Sequence, residues 1–287
     1  MHLPVVVGVD GSEPSLRAVD WAADEAALRG LPLRVVYASL WERYEHAVFA
    51  TGGDPSEQIL NGVFVAAAAE RARARIPDLQ VSTQVIPDGP TPVLLREARD
   101  ASVLVLGSRG RGDVPELLLG SVSLTVAGRA DCPVIVVRGG HDEGDGAYRR
   151  IVVGIGEEAA TANAIRFALE EAERRGALLE AVRAWRRPAH ETTDHPLLAG
   201  KSAQAHEQRA VETLEAALRA APAGVELRRR TAEGSARRVL LDASHGADLL
   251  VVGARRHPGH FGLQLGRVAH TVLHHAACPV AVVPEPV

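Results

Sequence analysis

The chain has 287 residues, of which 46% are hydrophobic and 3% aromatic, and its formal net charge is −4. This length allows two domains of ordinary size, and the acidic balance argues against a nucleic-acid-binding protein, which would carry a basic face. The opening segment MHLPVVVGVDGS has no basic region of the kind that begins a signal peptide, and no apolar run reaches the roughly 18–20 residues that span a bilayer. We therefore expect a soluble cytoplasmic protein with no membrane partner.

The first half alternates apolar strands with helices. VVVGV at 5–9 is typical of a strand that is buried on both faces. Ser12 is placed to cap the next helix, with Pro14 in its first turn and Gly30 at its end. The later elements are predicted as strand 33–38, a helix ending near Pro77, strand 81–86, helix 91–99, strand 102–106, a helix from about Gly120, and strand 134–137. Strict alternation of this kind predicts a parallel sheet covered by helices on both faces.

The second half repeats the first with an offset of 146 residues. Val5–Val9 corresponds to 151–155, Gly107 to Gly253, Gly120 to Gly266, and Cys132 to Cys278. One register that holds along the whole chain indicates a tandem duplication. We predict domain 1 at 1–138, a Gly-rich and charged linker at 139–149, and domain 2 at 150–287. The two cysteines lie at equivalent strand entrances and are expected to be buried free thiols.

A glycine-rich loop follows the fourth strand of the first half. The stretch GSRGRGDVPELLLGS contains Gly107, Gly110, Gly112 and Gly120. Bare backbone before a helix start can present N–H groups to an anion, and Ser121 and Ser123 can add hydroxyl donors. The loop is neither a Walker A motif nor a dinucleotide G-x-G-x-x-G fingerprint. The alternatives are therefore a phosphate-binding loop and a connector that binds nothing. Asp10 would face this loop if strands one and four are neighbours, because ligands in such sheets bind beyond the strand ends where the strand order reverses.

The spacing Gly107-x2-Gly110-x9-Gly120-Ser121 resembles the G-2x-G-9x-G-(S/T) motif of ATP-binding universal stress proteins. VVVGVDGS, LRVVYA and ADCPVIVV also resemble that family, over essentially the whole chain. The resemblance implies an α/β fold of two tandem Rossmann-like three-layer domains, each with a five-stranded parallel sheet in the order 3-2-1-4-5. It implies ATP as the ligand, with Mg²⁺ left open, and places Asp10 at the ribose and adenine end and Ala38 in the adenine pocket. The candidate nucleotide-binding residues are Asp10, Ala38, Gly107, Arg109, Gly110, Gly112, Gly120, Ser121, Val122 and Ser123.

The second half departs from this motif. Arg256 stands where Gly110 stood, Arg267 where Ser121 stood, and Gly156 where Asp10 stood. We expect the second domain to bind ATP weakly or not at all, although arginines can bind phosphate by themselves. His270 and His274 have the i,i+4 spacing of a metal-binding pair, with His275 beside them. The simpler interpretation is a helix end that favours histidine because of the helix dipole.

Three functions remain open at this stage. The first is a regulatory ATP-binding module of the stress or dormancy response, without obvious phosphoryl-transfer residues. The second is a slow ATPase, and the third is a structural interaction protein with vestigial nucleotide sites. The resemblance also implies pairing through the last strand of each half, which would give a pseudo-dimer within the chain and a homodimer of chains. Residues 41–60 lack periodicity and are predicted to form either a flap over the adenine side or a surface loop.

Overall fold

A computed structural model describes residues 3–38, 55–110, 119–138, 149–156, 161–186, 196–222, 224–255 and 265–285. The chain divides into two compact units, one formed by the described residues up to Arg138 and one by those from Arg149 onward. Apart from Arg149, the predicted linker lies outside the described residues. Among the helices that the structure describes, none is long and apolar enough to cross a membrane.

The first unit is a parallel sheet with helices between successive strands. Its elements are β1 (Val5–Val9), α1 (Glu13–Arg29), β2 (Leu33–Ala38), α2 (Pro55–Arg75), β3 (Val81–Ile86), α3 (Pro90–Glu97), β4 (Val103–Gly107), α4 (Ser121–Ala127) and β5 (Val134–Val137). The strands pair in the order β3-β2-β1-β4-β5, and every pairing is parallel. The predicted neighbourhood of the first and fourth strands is confirmed by the register Val5↔Val103 through Gly8↔Leu106.

Local sequence signals explain how β1 leads into α1. Val5, Val6 and Val7 are completely buried, as expected for a central parallel strand. The Ser12 hydroxyl accepts a hydrogen bond from the Ser15 backbone N–H at 3.4 Å, and Gly30 ends the helix in the left-handed region with φ 62°. The predicted caps of this helix are therefore confirmed.

Two predicted boundaries differ from the structure. Residues 55–60 belong to α2, so the prediction of irregular structure over 41–60 is wrong for that part, and residues 41–54 lie outside the described residues. An Ala- and Arg-rich helix can extend upstream through a polar segment because Pro is tolerated in a first turn and because Glu and Gln are good helix formers. Helix α3 stops at Glu97, and a 3₁₀ turn spans Ala98–Asp100.

The second unit repeats this arrangement. Its elements are β6 (Arg150–Gly154), α5 (Ala162–Arg175), β7 (Leu178–Trp185), α6 (Pro196–Ala217), β8 (Leu227–Glu233), α7 (Ala236–Ser244), β9 (Leu249–Arg255), α8 (Arg267–His275) and β10 (Val280–Glu285). The strand order is β8-β7-β6-β9-β10, and all four pairings are parallel. Cys132 and Cys278 are buried thiols outside any disulfide, as predicted.

Candidate functional site

A cavity of about 490 Å³ opens at the carboxyl ends of β1, β2 and β4 and beside the start of α4. Its volume lies within the range of small-molecule sites. Nine of the ten candidate residues line it, and the tenth, Gly112, lies outside the described residues. The cavity is lined by Gly8, Val9, Asp10, Ser15, Val36, Tyr37, Ala38, Pro90, Leu94, Leu106, Gly107, Arg109, Gly110, Gly120, Ser121, Val122 and Ser123. The parallel pairing of β1 with both β2 and β4 has thus brought residues from five separate sequence segments to one place.

One side of the cavity is apolar. Leu94 of α3 and Leu106 of β4 form part of its wall together with Val36 of β2. A Cβ at Gly8 would lie 2.7 Å from Leu106 Cδ2 and 2.8 Å from Leu94 Cδ2, so the bare backbone of β1 makes room for both leucines. Sequence reasoning missed this group, because Leu94 and Leu106 carry no polar group and lie within a predicted helix and a predicted strand.

The three glycines of the motif differ in what a side chain at each position would contact. A Cβ at Gly107 would lie 2.7 Å from the Pro14 carbonyl carbon and oxygen and 2.9 Å from the Ser15 nitrogen, so glycine here allows β4 to approach the first turn of α1. A Cβ at Gly110 would lie 2.6 Å from Asp10 Oδ2, so glycine there leaves room for a carboxylate. At Gly120 the nearest atoms would be 3.6 Å away, which is ordinary contact. None of the three has a positive φ, so close approach rather than backbone strain accounts for the first two.

Hydrogen bonds hold the loop in place from both ends. The Gly120 N–H donates to the Ser108 carbonyl at 2.8 Å, which brings the start of α4 against the end of β4. The Ser123 hydroxyl, 7% exposed, donates to the Gly107 carbonyl at 2.7 Å. Ser123 was predicted as a hydroxyl donor to a ligand, yet its proton is already engaged with this carbonyl. Its contribution to the cavity is therefore to fix the loop backbone.

Asp10 and Arg109 are the charged side chains among the described residues that line the cavity. Asp10 Oδ1 accepts hydrogen bonds from the Ser12 N–H at 3.0 Å and from the Ser12 hydroxyl at 2.6 Å. Ser12 therefore links the site to the start of α1. The carboxylate is held against the glycine loop rather than left to turn toward bulk solvent.

The corresponding region of the second unit lacks several of these groups. Gly156 replaces Asp10, and Ala269 replaces Ser123, so the carboxylate and the hydroxyl that fixes the loop are both absent there. Arg267 is exposed at the start of α8, while Arg256 lies outside the described residues.

The N-terminus of α5 is capped by Glu285 of β10, which accepts hydrogen bonds from the Asn163 N–H at 3.0 Å and the Ala164 N–H at 2.8 Å. Sequence reasoning missed this cap because the partners are more than 120 residues apart.

The histidine rings of α8 lie near one another in tilted orientations. The ring centroids of His270 and His274 are 4.6 Å apart, and those of His274 and His275 are 6.0 Å apart. Within the described ranges, no group of three or more His, Cys, Asp or Glu side chains is arranged to hold a metal ion.

Comparison with known proteins gives a consistent result. The model of the universal stress protein family matches residues 1–138 and again residues 147–284. Universal stress protein Rv2005c of Mycobacterium tuberculosis (strain ATCC 25618 / H37Rv) is 34% identical over 289 residues, which cover 97% of this chain and 96% of the relative. Universal stress protein Rv2623 of the same organism is 29% identical over 294 residues, covering 99% and 97%. Among solved structures, a universal stress protein from Archaeoglobus fulgidus DSM 4304 superposes with a TM-score of 0.61 at 17% identity, covering 99% of this chain and 98% of that one, which supports the fold.

Proposed function

Because the chain belongs to the universal stress protein family, we propose that it is a regulatory ATP-binding module with one ATP held per chain in the cavity of the first unit. The resemblance of its sequence to this family is confirmed by the two matches of the family model. In this proposal the nucleotide-bound and free states differ in how they engage protein partners during stress or dormancy. A cytoplasmic location and a homodimer are parts of the same proposal.

The proposal rests on one observation. A single cavity is lined both by apolar side chains and by a loop of bare backbone. Leu94, Leu106 and Val36 offer the kind of surface that a purine base can cover. In the same cavity, Gly110 and the start of α4 offer backbone that a phosphate chain can approach. An adenine nucleotide needs both kinds of surface, because it combines an apolar base with a polyanionic phosphate chain.

We propose binding rather than rapid turnover. Phosphoryl transfer needs a cation on the phosphates and a group that orients the nucleophile. Of the described lining residues, Arg109 can supply the cation, while Asp10 is the candidate for the second role. Asp10 Oδ1 accepts two hydrogen bonds from Ser12, which hold the carboxylate in place and suit a ligand-positioning role.

The experiment is a measurement of nucleotide content and stoichiometry in the full-length protein. The purified chain is denatured, the released molecules are identified by mass, and protein stripped of nucleotide is titrated with ATP. We expect one ATP per chain. Gly110→Val should abolish binding, because the new side chain would displace the Asp10 carboxylate and occupy part of the cavity beside the loop.

The control is Gly266→Val in the second unit, at the position that corresponds to Gly120, where a Cβ would meet no atom of the described residues within 4 Å. It should leave one ATP per chain. A stoichiometry of two that Gly266→Val reduces to one would show that the second unit is also a nucleotide site. No binding at millimolar ATP would refute the proposal and leave an interaction protein as the function.

A further inference from the structure

A second cavity, of about 490 Å³, lies in the second unit between the end of α6 and the beginning of β8. Its volume is within the range of small-molecule sites. The described residues that line it fall between Glu215 and Arg229, and β8 begins at Leu227. This cavity is therefore at the amino end of its strand, whereas the cavity of the first unit opens at the carboxyl ends of its strands.

Most of the lining of this second cavity is apolar. The apolar residues are Leu218, Ala221, Pro222, Val225 and Leu227. Leu218 is 2% exposed, while Val225 and Leu227 are half-buried. An apolar group that covers such a surface is removed from water, which favours its binding.

An early end of α6 explains how this space arises. With the offset of 146 residues, the last residue of α2, Arg75, corresponds to Ala221, but α6 already ends at Ala217. The Ala221 N–H donates to the Leu218 carbonyl at 3.0 Å, three rather than four residues back. Pro222 disfavours α-helical backbone at the residue before it. About one turn of helix is thus replaced by a tighter segment beside the start of β8.

Two arginines at this cavity have side chains without a partner. In the part of the chain that the structure describes, the guanidinium groups of Arg219 and Arg229 form no hydrogen bond and no ion pair. In the first unit, Arg219 corresponds to Arg73, whose guanidinium donates to the Val81 carbonyl at 3.1 Å. Arg229 corresponds to Thr83, so the second unit carries an additional positive charge here. A guanidinium presents a fork of N–H donors that fits a carboxylate.

Glu215 is the third charged residue that lines the cavity. Two guanidinium groups and one carboxylate leave the lining with a net charge of +1. This charge attracts a monoanion, while the carboxylate of Glu215 repels any further negative charge on a ligand. The cavity therefore suits a singly charged anion better than a nucleotide or another polyanion.

From this combination we propose that the second cavity binds a small carboxylic acid with an apolar tail, in its ionised form. The guanidinium groups of Arg219 and Arg229 hold the carboxylate, and the tail covers the apolar residues. The described lining of this cavity shares no residue with the cavity of the first unit. Its test is consequently independent of whether the first unit binds ATP.

The test is a ligand-observed NMR titration of the full-length protein with hexanoate near neutral pH. We expect hexanoate to bind at least about tenfold more tightly than acetate, because its additional CH₂ groups cover apolar surface. It should also bind more tightly than 1-hexanol, which lacks the charge, and than pyrophosphate, which lacks the tail. Equal affinity for hexanoate and either of these two compounds would overturn the proposal, as would no binding of hexanoate at millimolar concentration.

Variants of the two arginines locate the carboxylate. Arg219→Gln and Arg229→Gln should each weaken hexanoate binding at least about fivefold, because each removes a charge-assisted hydrogen bond. Both arginines are exposed, so the changes should not disturb folding. Arg228→Gln is the matched control, since Arg228 is also exposed and its side chain leaves the opposite face of the same strand.

The control should keep the affinity of the wild type. An equal loss in all three variants would indicate a general effect of surface charge and would overturn the proposal. Unchanged affinity in both Arg219→Gln and Arg229→Gln would overturn it as well.

A photoreactive analogue locates the site without any variant. A hexanoate derivative with a diazirine in its tail is irradiated with the wild-type protein, and the labelled peptides are identified by mass spectrometry. We expect the label on peptides within residues 215–229. A label confined to peptides of the first unit would show that the acid binds elsewhere and would refute the assignment of the second cavity.

Discussion

Gly107→Ala should destabilise the first unit, whereas the same change at Gly120 should not. The new methyl group at position 107 would lie 2.7 Å from the Pro14 carbonyl carbon and oxygen and 2.9 Å from the Ser15 nitrogen. These are backbone atoms in the first turn of α1, so relief requires a shift of the whole helix rather than of one side chain. Overpacking of this kind costs about 2–3 kcal/mol.

For a domain of about 150 residues, such a loss corresponds to a fall in Tm of roughly 4–12 °C. The measurement is differential scanning calorimetry combined with hydrogen exchange on peptides from α1, which assigns the transition to the first unit. Gly120→Ala is the control, because its methyl group would meet its nearest atoms at 3.6 Å. An unchanged transition for Gly107→Ala, or an equal loss for Gly120→Ala, would refute the argument that packing against α1 requires Gly107.

Three further changes test other contacts. Ser123→Ala removes the 2.7 Å hydrogen bond to the buried Gly107 carbonyl, which should lower the free energy of unfolding by about 1–2 kcal/mol in a denaturant titration. It should also weaken ATP binding, because the loop backbone is less well fixed. An unchanged affinity for ATP would show that Ser123 stabilises the fold only. Arg150→Ala removes the 2.8 Å partner of the Glu180 carboxylate, which is 3% exposed and keeps Arg230 at 3.8 Å, and the change should cost about 3–5 kcal/mol. An additional change of Glu180 to Leu should recover the part of this loss that comes from the carboxylate. It should not recover the part that comes from the lost hydrogen bonds of Arg150 to the Ala243, His245 and Gly246 carbonyls. Glu285→Gln should cost about 1–2 kcal/mol in the unfolding of the second unit, because Glu285 accepts one backbone N–H through each oxygen, whereas Gln keeps one acceptor and sets an NH2 donor against the other N–H. An unchanged midpoint would contradict that role.

Much of the fold follows from patterns that act over short distances in the sequence. The caps of α1 were predictable because Ser12 and Gly30 act on backbone within a few residues of themselves. The strand order required the rules for parallel sheets together with the family resemblance. The collection of candidate residues at one cavity then follows, because the loops after neighbouring parallel strands emerge at the same edge of the sheet.

The structural role of each residue was less predictable, because it depends on contacts between segments that are distant in the sequence. Gly107 meets Pro14 across more than ninety residues of sequence, and no local pattern indicates that contact. The Ser123 hydroxyl faces a carbonyl sixteen residues earlier, and its direction depends on how α4 docks on β4. A motif can therefore identify which residues gather at a site without indicating which of them contact the ligand and which hold the loop.

The two halves diverge in a way that separates packing from binding. Gly8 and Leu94 form a tight pair in the first unit, with Leu94 Cδ2 2.8 Å from where a Cβ would be. The second unit keeps the pair as Gly154 and Leu240, with Leu240 Cδ1 also at 2.8 Å. Beside the loop, by contrast, Gly156 replaces Asp10. The glycine–leucine contact that packs a helix on the sheet is therefore retained, whereas the carboxylate is lost. The second unit has kept a contact that its fold requires and has lost a group that the proposed nucleotide site requires.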